Sequence, residues 1–227
     1  MSSWQVMPDT ATLDEHLAKH IADTLAIDLK NDGSASLAVS GGSTPKGLFQ
    51  RLSLCDLDWA NIKVTLVDER WVDLDNPDSN ERMLRNELQQ NKASKVQIIG
   101  LKTSDARAED GLKEARQRIA GIDKPFSAVI LGVGGDGHTA SWFPQAKNLP
   151  ELADPAGKTD LEVTEPVTAP HQRITLTLPA VLNTREIIVH IVGTAKRAVV
   201  ESATEKRYPI DLILQQAKTP VTIWWAP

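Results

Sequence analysis

An aspartate and a histidine, Asp136 and His138, are separated by one glycine near the middle of the chain. They follow a glycine-rich loop, residues 132–137, that comes directly after the apolar run at residues 128–131. A short apolar run that ends at glycines predicts a strand buried on both faces. The pair therefore lies just beyond the carboxyl end of a strand, the edge at which open α/β sheets bind ligands. A carboxylate beside an imidazole can orient the ring or raise its basicity, so both residues are candidates for acid–base chemistry.

The segment SGGSTP at residues 40–45 lies between a second short strand, residues 36–39, and a helix-like stretch. Two glycines let the backbone approach an anion, hydroxyl side chains add donors, and the free amides and dipole at a helix start favour negative charge. The residues alone fit a phosphate site and an ordinary capped turn about equally well. Because the spacing GxxxxGK[ST] is absent, the segment does not indicate a nucleoside triphosphate. The candidate phosphate-binding residues are Ser40, Gly41, Gly42, Ser43 and Thr44.

Charged residues follow the ends of other predicted strands. Arg70 lies two positions beyond a strand that ends at Asp68, and Lys196 lies in the first turn after a strand that ends at Val192. Any one of these residues alone would be assigned to the solvated surface, but both belong to the edge that carries SGGSTP. Convergence on one phosphorylated ligand is the better interpretation. Arg173 begins a strand, so it reaches this edge only if that strand is bent or antiparallel.

The motifs disfavour three other classes of site. Residues 132–137 match GxGxxG, but Pro144 and a polar stretch follow where a crossover helix should begin, which argues against NAD. The nucleophile elbow GxSxG does not occur, which argues against a serine hydrolase. HExxH is also absent, the five histidines are dispersed, and the single cysteine, Cys55, excludes a cysteine-based metal cluster. We therefore expect neither a bound cofactor nor a metal ion.

The composition is that of an ordinary globular protein, with 41% hydrophobic and 24% charged residues in a chain of 227. No linker or internal repeat divides it, so residues 1–227 are expected to form a single α/β domain. The net charge of −5 argues against nucleic acid as a partner. The opening residues lack a secretory pattern and no stretch approaches 18 apolar residues, so we expect a cytoplasmic protein without membrane contacts. A monomer or homodimer acting on a small molecule is expected.

Predicted strands and helices alternate with short connections, which indicates a mostly parallel sheet covered by helices on both faces. The first helix is expected to begin at a capping box formed by Thr12 and Glu15 and to bury apolar residues at four-residue spacing. The region 145–168 lacks periodicity and is dominated by prolines, acids and lysines. We expect a surface excursion there, with at most one short helix, that could cover the site.

Taken together, these motifs resemble the 6-phosphogluconolactonase family. The matching segments occur in order over about residues 36 to 200: SGGSTP at 40–45, VDERWV at 67–72, DSNERMLR at 78–85, LGVGGDGHTASWFP at 131–144, RITLTLP at 173–179 and GTAKR at 193–197. The resemblance implies a modified Rossmann-like fold that binds a sugar phosphate without NAD, with His138 as the general base and Asp136 assisting it. It also implies metal-independent hydrolysis of 6-phospho-D-glucono-1,5-lactone in the oxidative pentose phosphate pathway. The phosphate would then lie near residues 41–44, with its charge neutralised by Arg70, Lys196 and Arg173, and Asp68 would either contact the sugar hydroxyls or brace Arg70.

Two other functions remain open. The same superfamily includes glucosamine-6-phosphate deaminase/isomerase, in which Asp68 would be the proton-abstracting base. That enzyme is less similar to this chain, because here Arg70 follows the acidic pair and TASWFP follows the histidine. The second alternative function is that of a non-catalytic sugar-phosphate sensor. The presence of both Asp136 and His138 argues against it. Gly135 stands where lactonases often have proline, and we expect this difference to affect only the stiffness of the loop.

Overall fold

The computed structural model describes residues 2–227. Its strands are β1 (Ser3–Val6), β2 (Ala35–Val39), β3 (Ile62–Leu66), β4 (Asp68–Arg70), β5 (Gln97–Ile99), β6 (Ala128–Leu131), β7 (Leu161–Thr164), β8 (Arg173–Leu176), β9 (Ile187–Val192) and β10 (Val221–Ala226). Its α-helices are α1 (Thr10–Asp32), α2 (Lys46–Leu52), α3 (Asn80–Glu87), α4 (Ala108–Ala120), α5 (Leu149–Leu152), α6 (Leu178–Leu182), α7 (Thr194–Glu201), α8 (Ala203–Lys206) and α9 (Asp211–Gln215). Two short 3₁₀ turns, Trp59–Asn61 and Asn91–Lys95, lie before β3 and β5.

The main sheet has seven strands in the order β1-β10-β9-β6-β2-β3-β5. Every pairing in it is parallel, which confirms the predicted fold class. Each residue of the central strands β2 and β6 is buried, as a continuous apolar run predicts for strands covered on both faces. Parallel pairing brings the carboxyl ends of β2, β6 and β9 to one edge, and the segments after these strands carry SGGSTP, the glycine-rich loop and Lys196.

A second, three-stranded sheet stands apart from the first, in the order β4-β8-β7. Both of its pairings are antiparallel, and Arg70 lies opposite Arg173. Arg173 therefore reaches the neighbourhood of Arg70 because β8 runs antiparallel to β4, one of the two routes that the sequence left open. Strand β7 lies inside the region expected to be irregular. Its four residues, Leu161–Thr164, alternate apolar and polar side chains and pair along one side only, but so short a run among prolines and charged residues carried little strand signal.

Helix α1 begins two residues earlier than the predicted capping box. Asp9 is the N-cap, and its Oδ1 accepts a hydrogen bond of 2.8 Å from the backbone N–H of Thr12. The prediction of Thr12 and Glu15 as the box was wrong because the aspartate just upstream supplies a strong capping acceptor. The predicted inner face is confirmed for Leu13, Leu17, Ile21 and Leu25, which are all fully buried. Within residues 2–227, no helix is both long and apolar enough to cross a bilayer.

Candidate active site

A cleft of about 300 Å³ opens at the carboxyl ends of β2, β6 and β9. Nine of the residues singled out in the sequence line it: Ser40, Gly41, Gly42, Ser43, Thr44, Asp68, Arg70, His138 and Lys196. Two other candidate residues, Asp136 and Arg173, do not line the cleft but lie next to residues that do. Asp136 contacts His138, and Arg173 lies opposite Arg70 in the second sheet. The structure thus brings together all the candidate residues, although they come from five separate stretches of the chain.

His138 and Asp136 form a close pair. The Nδ1 atom of His138 lies 2.5 Å from Oδ1 of Asp136, and the backbone N–H of His138 donates to the same oxygen at 3.3 Å. Burial pushes the pKa of Asp136 upward, but its contacts with His138 outweigh that effect and leave the pKa below its ordinary value. An ionised carboxylate can only accept, so Nδ1 carries a proton, and in the neutral ring Nε2 is then the nitrogen with the free lone pair. The tautomer required of a general base is therefore the one that Asp136 selects.

Glycines allow this pair to form. A Cβ atom built on Gly134 would lie 2.1 Å from Nδ1 of His138 and 2.6 Å from Oδ1 of Asp136, so the site has no room for a side chain there. Gly137 has a φ of 78°, and a Cβ on it would strike the ring of Tyr208. The loop closes on itself through a hydrogen bond of 2.8 Å from the Gly134 N–H to the His138 carbonyl. The glycines that resembled a dinucleotide motif are thus needed for a tight turn.

The loop at residues 41–44 has free backbone donors. None of its four amide N–H groups donates to an acceptor within residues 2–227, and three of the four residues are exposed. The preceding Ser40 is held through both its backbone and its side chain. Its N–H donates to the Ile130 carbonyl, and its Oγ accepts from the Gly132 N–H at 3.0 Å. Consecutive free amides that face a cleft form a concavity suited to an anion. Ser40 also ties this loop to the loop that carries His138.

The acidic and basic residues of β4 are held on the cleft wall. Asp68 accepts a hydrogen bond of 2.6 Å from the Ser141 hydroxyl at Oδ2. Arg70 donates through Nη1 to the Asp78 carbonyl at 2.7 Å and to Oδ1 of Asn80 at 2.9 Å. Its guanidinium has no carboxylate partner within residues 2–227, so its positive charge is available to a ligand.

Arg173 is the most buried of the candidate cations. It is 5% exposed, and neither Nε nor Nη1 has a hydrogen-bond partner in the described part of the chain. Burial and the positive charge of nearby Arg70 lower the pKa of Arg173. Buried donors without acceptors are costly, so an arginine in this state is well suited to an anion that approaches Arg70.

Lys196 projects from the first turn of α7 and makes no ion pair or hydrogen bond with residues 2–227 through its side chain. Its position is fixed by its neighbours. Gly193 has a φ of 91°, and its carbonyl accepts a hydrogen bond of 3.0 Å from the Trp225 indole. The guanidinium of Arg197 lies 4.6 Å from the ring centroid of Trp225 and 5.3 Å from that of Trp4. These contacts hold the start of α7 against the sheet and leave the lysine as a free cation.

Two cleft residues, Asn80 and His190, were not found from the sequence. Asn80 is the first residue of α3, and asparagine is common at the start of a helix, so nothing in the sequence singled it out. No spacing rule links it to Arg70. His190 lies inside β9, where a histidine is normally structural. Its ring is nearly fully buried, and both nitrogens lack hydrogen-bond partners within residues 2–227. Nε2 lies 3.7 Å from Oδ1 of Asp14 on α1, which is beyond hydrogen-bond distance.

The His190 and Asp14 side chains respond to pH in opposite directions. Burial lowers the pKa of His190 from 6.5 to about 4, so this group costs stability as the pH falls through that range. Burial, opposed by the charge of Arg51, raises the pKa of Asp14 from 3.8 to about 6, so protonation of this group adds stability as the pH falls. In both the folded and unfolded states the pair binds one proton between about pH 4 and 6. Their effects on the free energy of unfolding therefore offset each other.

Replacing Asp14 with asparagine should expose the pH dependence of His190. Relative to the unmodified protein, the variant should lose about 3 kcal/mol of unfolding free energy between pH 6.5 and 4, because His190 then resists protonation without compensation. Urea denaturation across this range measures the difference. Asp23→Asn, an exposed change on the same helix, is the control and should show the same pH dependence of unfolding free energy as the unmodified protein. If the unfolding free energy of Asp14→Asn also has the pH dependence of the unmodified protein, the two groups do not offset each other.

The family model described as glucosamine-6-phosphate isomerases/6-phosphogluconolactonase matches residues 8–224. The chain belongs to this family. A relative named 6-phosphogluconolactonase from Rhizobium meliloti is 36% identical over 230 residues, covering 100% of this chain and 99% of the relative. Another with the same name, from Mesorhizobium japonicum, is 37% identical and covers 99% of this chain and 95% of its own length. The family resemblance inferred from the sequence motifs is confirmed.

Solved structures of the family agree with this assignment. The crystal structure of a 6-phosphogluconolactonase from Shewanella baltica matches with a TM-score of 0.97 and 41% identity, over 100% of this chain and 98% of that one. A monomeric glucosamine-6-phosphate deaminase matches with a TM-score of 0.79 at 17% identity, which shows a shared fold alone. The predicted membership of an enzyme family is thus confirmed, and the relatives from Rhizobium meliloti, Mesorhizobium japonicum and Shewanella baltica carry the lactonase name.

Proposed function

We propose that this protein hydrolyses 6-phospho-D-glucono-1,5-lactone to 6-phospho-D-gluconate. The observation that carries the proposal is the common cleft shared by the His138–Asp136 pair and the free amides of residues 41–44. The same cleft offers a base and a set of anion donors, which fits a ligand that carries both a reactive carbonyl and a phosphate. The names of the relatives support the same substrate.

In the proposed reaction, Nε2 of His138 takes a proton from water while the water oxygen attacks C1 of the lactone. The carbonyl becomes a tetrahedral oxyanion, and Asp136 stabilises the imidazolium that forms, because its carboxylate accepts the Nδ1 proton. The intermediate collapses by breaking the bond between C1 and the ring oxygen. The proton then passes from the imidazolium to that oxygen, which leaves it as a hydroxyl and restores the neutral histidine. The carboxyl product loses its proton to solvent.

The phosphate is proposed to lie on the amides of residues 41–44, between Lys196 and Arg70. Both cations line the cleft without a carboxylate partner among residues 2–227, and Arg173 adds a further positive charge behind Arg70. Charged hydrogen bonds of this kind bring the ligand to a fixed orientation, so they contribute to binding rather than to the chemical step. The alternative in which Asp68 abstracts a proton from an amino-sugar phosphate has less support, because Oδ2 of that carboxylate already accepts from Ser141.

Replacing Lys196 with alanine should raise KM for the phosphorylated lactone about 10- to 100-fold and leave kcat little changed, because one charged hydrogen bond to the phosphate is lost. The unphosphorylated 1,5-lactone of gluconate should be unaffected, since it never engages the lysine. Steady-state kinetics on both lactones, corrected for spontaneous hydrolysis, test this. Lys218→Ala, on an exposed loop, serves as the control. Equal losses on both substrates would remove Lys196 from the phosphate site.

A further inference from the structure

We propose that Asn80 is a positioning residue that holds the Arg70 guanidinium over the loop at residues 41–44. This inference rests on the proposed function, because it assigns Asn80 a part in binding the same phosphate. Asn80 is 3% exposed, yet it lines the cleft between the two candidate anion-binding elements. A buried asparagine must satisfy its amide, and here it does so entirely through groups that shape the cleft.

The side-chain amide of Asn80 makes two hydrogen bonds to β4. Its Oδ1 accepts from Nη1 of Arg70 at 2.9 Å, and its Nδ2 donates to the backbone carbonyl of Asp68 at 2.9 Å. The acceptor therefore fixes the end of the arginine while the donor fixes the strand on which that arginine lies. Among the common side chains of this length, only an amide supplies a donor and an acceptor together without a charge. Aspartate would keep the acceptor, but it would neutralise the guanidinium.

The same side chain also packs on the anion-binding loop. A Cβ atom on Gly41 would lie 2.0 Å from Oδ1 of Asn80 and 2.7 Å from Nδ2. The asparagine thus occupies the space that any other residue at position 41 would fill. Because one rigid amide touches both Gly41 and Arg70, the distance between the guanidinium and the loop amides is set by Asn80.

Glu69 keeps the backbone of Asn80 in place. This carboxylate is fully buried and accepts from the backbone N–H of Asn80 at 2.8 Å and from that of Glu81 at 2.7 Å. It also accepts from the N–H of Arg70 at 2.7 Å, so β4 and the first turn of α3 share one anchor. With its backbone and its side chain both tied to β4, Asn80 has little freedom to move independently of Arg70.

The test is a double-mutant cycle with Asn80→Ala, Arg70→Ala and the combined variant, assayed on the phosphorylated and unphosphorylated lactones. Asn80→Ala should raise KM for the phosphorylated lactone about 10-fold at nearly constant kcat and leave the other lactone unchanged. In the Arg70→Ala background the same change should have no further effect on KM, since its target is gone. Effects of the two changes on KM that multiply would overturn the proposal, as would a loss confined to kcat.

Two further variants separate positioning from folding. Asn80→Asp preserves the size of the side chain and should raise KM at least as much as Asn80→Ala, because the carboxylate pairs with Arg70 and repels phosphate. An unchanged KM in a folded Asn80→Asp protein would overturn the proposal. Asn61→Ala, on an exposed turn, is the matched control and should match the unmodified protein in KM and melting temperature.

Binding of inorganic phosphate, measured by calorimetry on the same variants, distinguishes failure of this inference from failure of the proposed function. If the unmodified protein binds phosphate but hydrolyses no lactone, the proposed reaction is wrong, and the role of Asn80 is read from the phosphate Kd. The expected result is again a weakening of about 10-fold that disappears in the Arg70→Ala background. If the unmodified protein binds neither phosphate nor lactone, both proposals are overturned.

Discussion

Replacing His138 with glutamine is expected to lower kcat for the phosphorylated lactone by about 10²- to 10⁴-fold, the range typical of a lost general base. Glutamine keeps a polar side chain of similar reach but cannot take a proton from water at neutral pH. KM should change little, because in the proposed binding mode the imidazole contacts the reacting end of the ligand and not its phosphate. Steady-state rates with spontaneous hydrolysis subtracted measure the change.

The control for this variant is another histidine that is paired with a carboxylate. His20 on α1 has Nε2 at 2.9 Å from Glu186 and lies outside the cleft, so His20→Gln should leave kcat unchanged. A His138→Gln protein with an unchanged kcat would show that water is activated without this imidazole. A loss confined to KM would instead move His138 to substrate binding.

Gly134→Ala should reduce kcat about as strongly as the loss of His138, although the new methyl group carries no chemistry. The added Cβ would lie 2.1 Å from Nδ1 of His138 and 2.6 Å from Oδ1 of Asp136, so the pair must separate to admit it. Once the ring is no longer held by the carboxylate, its tautomer and orientation are lost, and activity should fall by about 10²-fold or more. Kinetic assays and thermal melting should be measured on the same preparations.

The adjacent glycine gives a matched control. Apart from its two chain neighbours, no part of residues 2–227 lies within 4 Å of a Cβ built on Gly135, and its φ is not in the left-handed region, so Gly135→Ala should retain kcat. The two variants differ by one position and carry the same added methyl group. Equal activity of the two proteins would contradict the view that the close approach of Gly134 to the His138–Asp136 pair matters for the reaction.

The sequence predicted the parallel sheet and the cleft edge well, because both follow from local patterns. Short apolar runs such as that of β6 identify strands buried on both faces, and the carboxyl ends of parallel strands must lie along one edge. Asp136 and His138 are two residues apart in a tight loop, so their contact needed no knowledge of the rest of the fold. The family resemblance came from the order of several such local segments.

The features that the sequence missed depend on contacts between distant segments. Strand β4 is the charged tripeptide Asp68–Arg70, which shows no apolar alternation and is a strand only because β8 pairs with it. Asn80 reads as the start of a helix, and its bonds to β4 appear only when the two elements are brought together. His190 reads as a strand residue, and the approach of Asp14 from α1 could not be foreseen from spacing.

The most direct test of the proposed function is a coupled assay in which glucose-6-phosphate dehydrogenase generates the lactone and formation of 6-phosphogluconate is followed with and without this protein. The predicted result is a rate that rises in proportion to the concentration of the added protein, above the rate of spontaneous hydrolysis. A rate that stays at the spontaneous value at every protein concentration would contradict the account.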